Sequence, residues 1–333
     1  MSESRRVTES EGGPERESGI SKLVGFTPEQ EEEIFEQFKS NFDNQPRPGA
    51  LFELDGVVNA EREKTPKETE IVGNILQRMP DFIKRYGGTS VPLGQEHIHF
   101  VDKEKLDTEA RAEIEESGHE AVYLNIAQGI GIFGSGDSLR DAQGIVHEVL
   151  HFNSFNSLDP DKTGKFTTRV RRSGFGVKDR DNAVVYFEDI NEEVIEELTK
   201  RFDKEHFDSI PVLADEVEER RKLVAVFLRN NPTDKELADD IAFAKVREPE
   251  SEGGKPTIEG GTYHGRESVL SGLINDIYKK NKGTFASTED VFSIFAEATM
   301  SGRLLKVAKI IEETYGKGSF RRLGEKTGRR RHQ

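Results

Sequence analysis

The sequence predicts an α+β fold, in which an N-terminal helix and sheet subdomain leads into a central helix and a mainly helical C-terminal subdomain follows. Apolar residues recur at helical spacing on both sides of short runs that alternate with period two. The order reads helix, strands, helix, hairpin, helices, which is an α+β sequence of elements. No internal repeat is visible, so solenoids and propellers have no support. With 333 residues the chain is long enough to bury a sizeable core.

The elements follow in order. Residues 1–25 are rich in Ser, Glu, Arg and Gly and read as a disordered arm. Thr27, Pro28 and an acidic first turn start a helix with Ile34, Phe35 and Phe38 on one face. A second helix runs from about Thr65 to Tyr86, carrying Ile71, Ile75, Leu76, Met79, Phe82 and Ile83, with a bend expected at Pro80 and an end at Gly87-Gly88. His97 to Val101 and Ala121 to Ala127 alternate as strands do and bracket a charged helix near Asp107 to Ser117. Asp137 or Ser138 caps the central helix, whose buried face is Leu139, Ala142, Val146, Val149 and Leu150.

Beyond it, Lys165 to Val177 and Ala183 to Phe187 form a hairpin across the turn-like Lys178 to Asn182. A helix follows over Ile190 to Phe202, since Ile190, Val194, Leu198 and Phe202 recur every four residues. The stretch 203–248 is helical in parts, and Pro249 to Gly261 has the composition of a linker. Three amphipathic helices cover about 266–280, 288–300 and 303–315, and the basic tail after Phe320 is expected to fray. The divisions are therefore an arm over 1–25, subdomains over 26–156 and 157–323, and a tail over 324–333.

Composition excludes several function classes. Lys and Arg number 48 against 63 Asp and Glu, and a net charge of −15 disfavours nucleic acid and anionic membranes as partners. The absence of cysteine removes disulfides, thiolate metal ligands and cysteine nucleophiles, so any metal must be held by His and carboxylates. No signal peptide or apolar run of about 18 residues is present, and a cytoplasmic protein is the expectation. Gly129, Gly131, Gly134 and Gly136 match neither spacing of a phosphate-binding loop.

The chemistry-bearing motif is His147-Glu148-Val149-Leu150-His151. Residues four apart share a helix face, so the two imidazoles can converge on one metal ion while Glu148 sits beside it as a general base. A catalytic zinc needs a third protein ligand and an open position. The extended motif ending in a third histidine is ruled out by Ser154 and Ser157, and Gly261-Thr262-Tyr263-His264 continues with Gly265 rather than reaching a ligand aspartate. Later carboxylates are Glu192, Glu193, Glu196 and Glu197, which also read as an ordinary solvated acidic face.

An HExxH helix followed, after a hairpin, by an Asn-Glu-x-x-x-Glu helix resembles the gluzincin class of zinc metallopeptidases, including its small minigluzincin members. That resemblance covers about residues 120–200 and more loosely 260–323. It implies a zincin-like fold, one Zn2+ held by His147, His151 and Glu192, and Asn191 and Glu196 as partners of the ligand histidines. Arg172-Ser173-Gly174-Phe175 and Tyr315 to Phe320 are similar to segments that compact gluzincins carry around their sites. The implied activity is hydrolysis of a peptide or protein substrate by zinc-activated water with Glu148 as base. The alternative is a non-enzymatic acidic helical interaction protein with a structural or vestigial zinc site.

Other residues are weighed on their own spacing. Tyr263 or His264 is the candidate donor to a developing oxyanion, against an ordinary surface pair. His97 and His99 lie on one strand face and are explained by an edge strand turned to solvent, while His119 and His206 lack expected partners. The apolar, Gly-rich run Ala121 to Phe133 reads equally as a cleft-lining edge strand or as a buried one. Oligomeric state is not readable.

Overall fold

The computed structural model describes residues 18–43, 60–106, 108, 111–112, 114, 120–124, 128–160, 168–179, 184–230, 245–247, 257–259 and 268–330. Mixed α+β structure is what it shows. The strands are β1 (Lys22–Leu23), β2 (Glu61–Arg62), β3 (Ile98–Val101), β4 (Ala121–Leu124), β5 (Gly129–Ile132), β6 (Asn156–Pro160), β7 (Thr168–Ser173), β8 (Gly176–Lys178), β9 (Val184–Tyr186), β10 (Lys245–Arg247), β11 (Thr257–Glu259) and β12 (Arg329–Arg330). The helices, numbered in chain order, are α1 (Pro28–Asp43), α2 (Pro66–Arg85), α3 (Ser138–Asn153), α4 (Glu188–His206), α5 (Ala214–Asn230), α6 (Val269–Lys280), α7 (Thr288–Ser301), α8 (Leu304–Tyr315) and α9 (Ser319–Lys326).

One sheet has the order β2-β3-β5-β4 and precedes α3; a second, β1-β6-β7-β8-β9-β12, surrounds the entry to α4 in sequence. In the first sheet β3 and β5 are parallel and the outer pairs antiparallel. Ile98, Phe100, Ile130 and Ile132 all enter the main core, which they share with α2, α3, α4 and the C-terminal helices. Period-two alternation explains this, because residues 98, 100, 130 and 132 stand on one sheet face.

Local signals account for the long helices. Thr65 accepts from the Glu68 backbone N–H and Glu68 returns a bond to the Thr65 N–H, a complete capping box, and Pro66 opens α2. Pro80 leaves the helix assigned without a break and lies on its exposed side. For α3, Asp137 is the cap, accepting from Leu139 and Arg140 N–H at 2.9 and 3.3 Å. The next turn is held by Asp141, which accepts from the backbone and hydroxyl of Ser135. Helix α4 carries the apolar stripe Ile190, Val194, Ile195, Leu198 and Phe202, each fully buried; every such side chain contributes roughly 1.5–3 kcal/mol relative to exposure.

A polar link locks α3 on α4. Gln143 Nε2 donates to Asp203 Oδ2 at 2.7 Å, and Arg220 of α5 grips both Asp203 oxygens at 2.7 Å. Asp203 is all but inaccessible, so its charge depends on this guanidinium.

Several expectations change. The end of the expected N-terminal arm is packed: Ser18, Gly19 and Ile20 are buried, and β1 pairs in parallel with β6. Phe35 is largely exposed, while Ile34 and Phe38 face the core. His97 and His99 are buried rather than turned to solvent: His97 sits in a short 3-10 turn ahead of β3 with its ring against the Gly94 backbone, and His99 is fully buried on β3. His99 Nδ1 meets Glu61 Oε1 at 2.8 Å, and His206 packs on the rings of Phe82 and Phe202. The expected hairpin is present, β8 pairing antiparallel with β9, and a further turn at Gly174-Phe175 splits its first arm into β7 and β8, with β6 completing the outer side. Within the expected linker, β11 pairs with β10.

The basic tail, expected to fray, forms a helix and a short strand among its described residues. Its helix α9 brings Gly324 so close to the Phe187 ring that a Cβ there would lie 2.5 Å from it, and β12 then pairs with β9. The charged segment near Asp107 to Ser117 lies mostly outside the described residues, as do His119, Tyr263 and His264.

Replacing Arg220 by Met should lower the unfolding free energy by about 3–5 kcal/mol, since Asp203 is left buried and unpaired. Equilibrium denaturation measures it, and a loss under about 1 kcal/mol would mean that Asp203 does not need its partner.

Candidate metal centre

Helix α3 presents His147 and His151 one turn apart, and α4 presents Glu192 just past its first turn. Their donor atoms meet. The two Nε2 atoms are 3.0 Å apart, and Glu192 Oε2 lies 3.5 Å from His147 Nε2 and 3.3 Å from His151 Nε2. Two imidazoles and one carboxylate thus converge as a group that could hold a metal ion, and it is the one such His and carboxylate group among the described residues.

The electrostatics follow from the convergence. Burial disfavours the charged form of His151, yet the adjacent Glu192 carboxylate outweighs it and raises the imidazole to about 9. Burial likewise opposes charge on Glu192, but His151 and His147 hold it well below the usual carboxylate range. A metal cation would take the place of that proton between the same donors. The side chains retain 27%, 14% and 23% of their exposure for His147, His151 and Glu192, so a small molecule can reach the group from solvent.

Glu148 is nearly buried on α3. Gly144 and Phe152 lie one turn before and after it and therefore on its face. A Cβ on Gly144 would stand 3.4 Å from Ala121 Cβ, and the Phe152 ring meets Tyr123 at 5.3 Å. Hence Glu148 faces β4. That strand is hydrogen-bonded to β5 alone in the four-stranded sheet, so the apolar run Ala121 to Phe133 contains both an outer strand, β4, and an inner one, β5.

The partners expected for the histidines do other work. Asn191 Oδ1 accepts from Phe175 N–H at 2.8 Å and its Nδ2 donates to Glu192 Oε1 at 3.3 Å; Glu196 pairs with Lys200 at 3.3 Å. Neither hydrogen-bonds an imidazole, because Asn191 is spent on Phe175 N–H and Glu192, and Glu196, one turn beyond Glu192, is engaged by Lys200. Arg172 bonds the carbonyls of Gly174, Gly302 and Ala298 and stacks over Phe155, tying the hairpin to α7. Tyr315 hydroxyl meets Asp276, and Phe320 packs on Phe187, the residue before α4.

Glu193 was open as a ligand in the sequence and is engaged elsewhere. Its carboxylate accepts from Ser268 Oγ at 2.9 Å, Val269 N–H at 3.2 Å and Leu270 N–H at 2.6 Å, at the start of α6. A carboxylate there is favoured by the unpaired N–H groups and the helix dipole. The Asn-Glu-x-x-x-Glu resemblance favours Glu192 locally, and the pairing of distant elements gives Glu193 its separate task.

Glu192→Ala should therefore abolish bound metal, while Glu193→Ala should keep it and lower stability by about 0.5–2 kcal/mol through the lost cap. Elemental analysis and thermal unfolding of the two variants test this, and metal lost from Glu193→Ala with retention in Glu192→Ala would reverse the assignment. Compared with known proteins, the chain matches no family model, no curated protein and no solved structure.

Proposed function

We propose that this chain is a zinc-dependent metallopeptidase of gluzincin type, hydrolysing peptide bonds of peptide or protein substrates. The observation that carries the reading is the donor triangle. Zinc bonds of about 2.0–2.1 Å in tetrahedral geometry require donors about 3.3 Å apart, and the three separations here are 3.0, 3.3 and 3.5 Å. Two neutral imidazoles and a carboxylate suit zinc, and three protein ligands leave a fourth position for chemistry. Their partial exposure favours such an open site over a closed structural one.

When bound, zinc supplies a Lewis acid that lowers the pKa of a water and polarises a carbonyl. The residues of this chain do the rest. Glu148, facing β4 beside His147, accepts the proton of the attacking water and delivers it to the leaving amine. An extended substrate lying along β4, the last strand of its sheet among the described residues, would align its scissile bond along α3. Glu192 stays ionised because the imidazoles favour its charge, so it remains a ligand and leaves proton transfer to Glu148.

Glu148→Gln should retain stoichiometric zinc and lose peptide hydrolysis by about 10²–10⁴-fold. Chelation should abolish wild-type cleavage and added zinc restore it. Cleavage of a peptide library at the wild-type rate by Glu148→Gln, or purified chain that binds no zinc, would overturn the proposal.

A further inference from the structure

The oxygen of Glu192 that faces the histidines is Oε2; the other, Oε1, is taken by the neighbouring side chain. Asn191 is buried, and its orientation is dictated by chemistry. The Phe175 backbone N–H can only donate, so the amide oxygen must face it, and the amide N–H group is left toward Glu192 Oε1. An Asp or Leu at 191 cannot do both.

The Phe175 N–H is itself held in place. Gly174 has φ +53°, a left-handed turn, and a Cβ on it would come within 2.2 Å of Asn191 Oδ1. The turn is fastened from three sides: Gly174 N–H donates to Phe155 O at 2.8 Å, Gly174 O accepts from Arg172 Nε at 2.7 Å, and the Arg172 guanidinium continues to Gly302 and Ala298 of the α7 end. Phe155 follows the end of α3 directly, so the chain of contacts starts one turn beyond His151 and returns to Glu192. The order is α3, Phe155, Gly174 turn, Asn191, Glu192.

We propose that Asn191, set by the Gly174 turn, is a positioning residue that occupies Glu192 Oε1 and so makes Glu192 a ligand through Oε2 alone. This rests on the metal-site reading above. A carboxylate free at Oε1 can swing to bind through both oxygens, which consumes the position that substrate needs, or turn away, which removes a ligand. The Gly174 turn joins the two ligand helices, so their approach and the orientation of Glu192 are set together.

The test is zinc affinity of the full chain, by competition with a chromophoric chelator, together with X-ray absorption at the zinc edge to count carboxylate oxygens. Asn191→Asp keeps the acceptor for Phe175 N–H but removes the donor to Glu192. Gly174→Ala keeps the Asn191 amide and displaces it. Both should bind zinc 10–100-fold more weakly than wild type, and the absorption spectrum should change from one bound carboxylate oxygen to two or none. Thermal unfolding identifies any loss due to misfolding, and Asn191→Asp serves if Gly174→Ala does not fold. Wild-type chain that takes up no zinc overturns the metal site and this proposal with it. Zinc bound by wild type with both variants within twofold, or a wild-type Glu192 bound through both oxygens, overturns the positioning role alone.

Discussion

The packing of α3 against α4 is the constraint on which the rest depends, because the three donor atoms come from two helices and none can compensate for a misplaced partner. The contacts along the pair run in opposite senses. Gln143, early in α3, reaches Asp203, late in α4, whereas His147 and His151 meet Glu192 near the α4 start. At about 1.5 Å rise per residue the two meeting points are separated by roughly 6–12 Å along α3 and 16 Å along α4, which an antiparallel pair with a modest crossing satisfies. Two polar clamps at separated points fix sliding as well as rotation. The apolar stripe between them supplies the attraction without specifying the register.

How α4 begins matters as much as how it packs. Phe187, the residue before it, has a φ of +60°, an uncommon conformation for a bulky side chain. No side-chain cap stabilises that end. Instead the Phe187 ring is held between Phe175 and Phe320, with Gly324 leaving room for it, and its N–H donates to the Gly324 carbonyl. The C-terminal helix α9 therefore sets the angle at which the glutamate helix leaves the sheet. This gives the tail, which composition marks as loose, a structural task at the far side of the metal group.

What the sequence made legible was local. The α2 capping box, the Asp137 cap and the i, i+4 stripes of α2, α3 and α4 are written within one or two turns, and so is the pairing of His147 with His151. What it hid was non-local. Strands β1, β2 and β12 are two residues each, too short to show any alternation, yet β2 supplies Glu61, whose carboxylate meets the buried His99. The Glu193 cap joins residues 75 or more apart in the chain, and the Asn191 bond to the Phe175 backbone depends on a turn that only the pairing of β7 with β8 creates.

The acidic run of α4 illustrates how far such long-range contacts divide residues that composition treats as equivalent. Successive side chains leave a helix about 100° apart, so Glu192 points at the histidines of α3 and Glu193 at the start of α6. Glu196, one turn on from Glu192, faces the same way but has passed the histidines, and Lys200 neutralises it instead. Glu197 pairs with Arg201, whose guanidinium also reaches Glu289 of α7. Each carboxylate thus has a cation or a set of N–H donors of its own except Glu192, whose Oε2 faces only imidazole nitrogens. The partner of that oxygen is the proton that it holds on His151, and a divalent cation between the three donors is the species that would replace it.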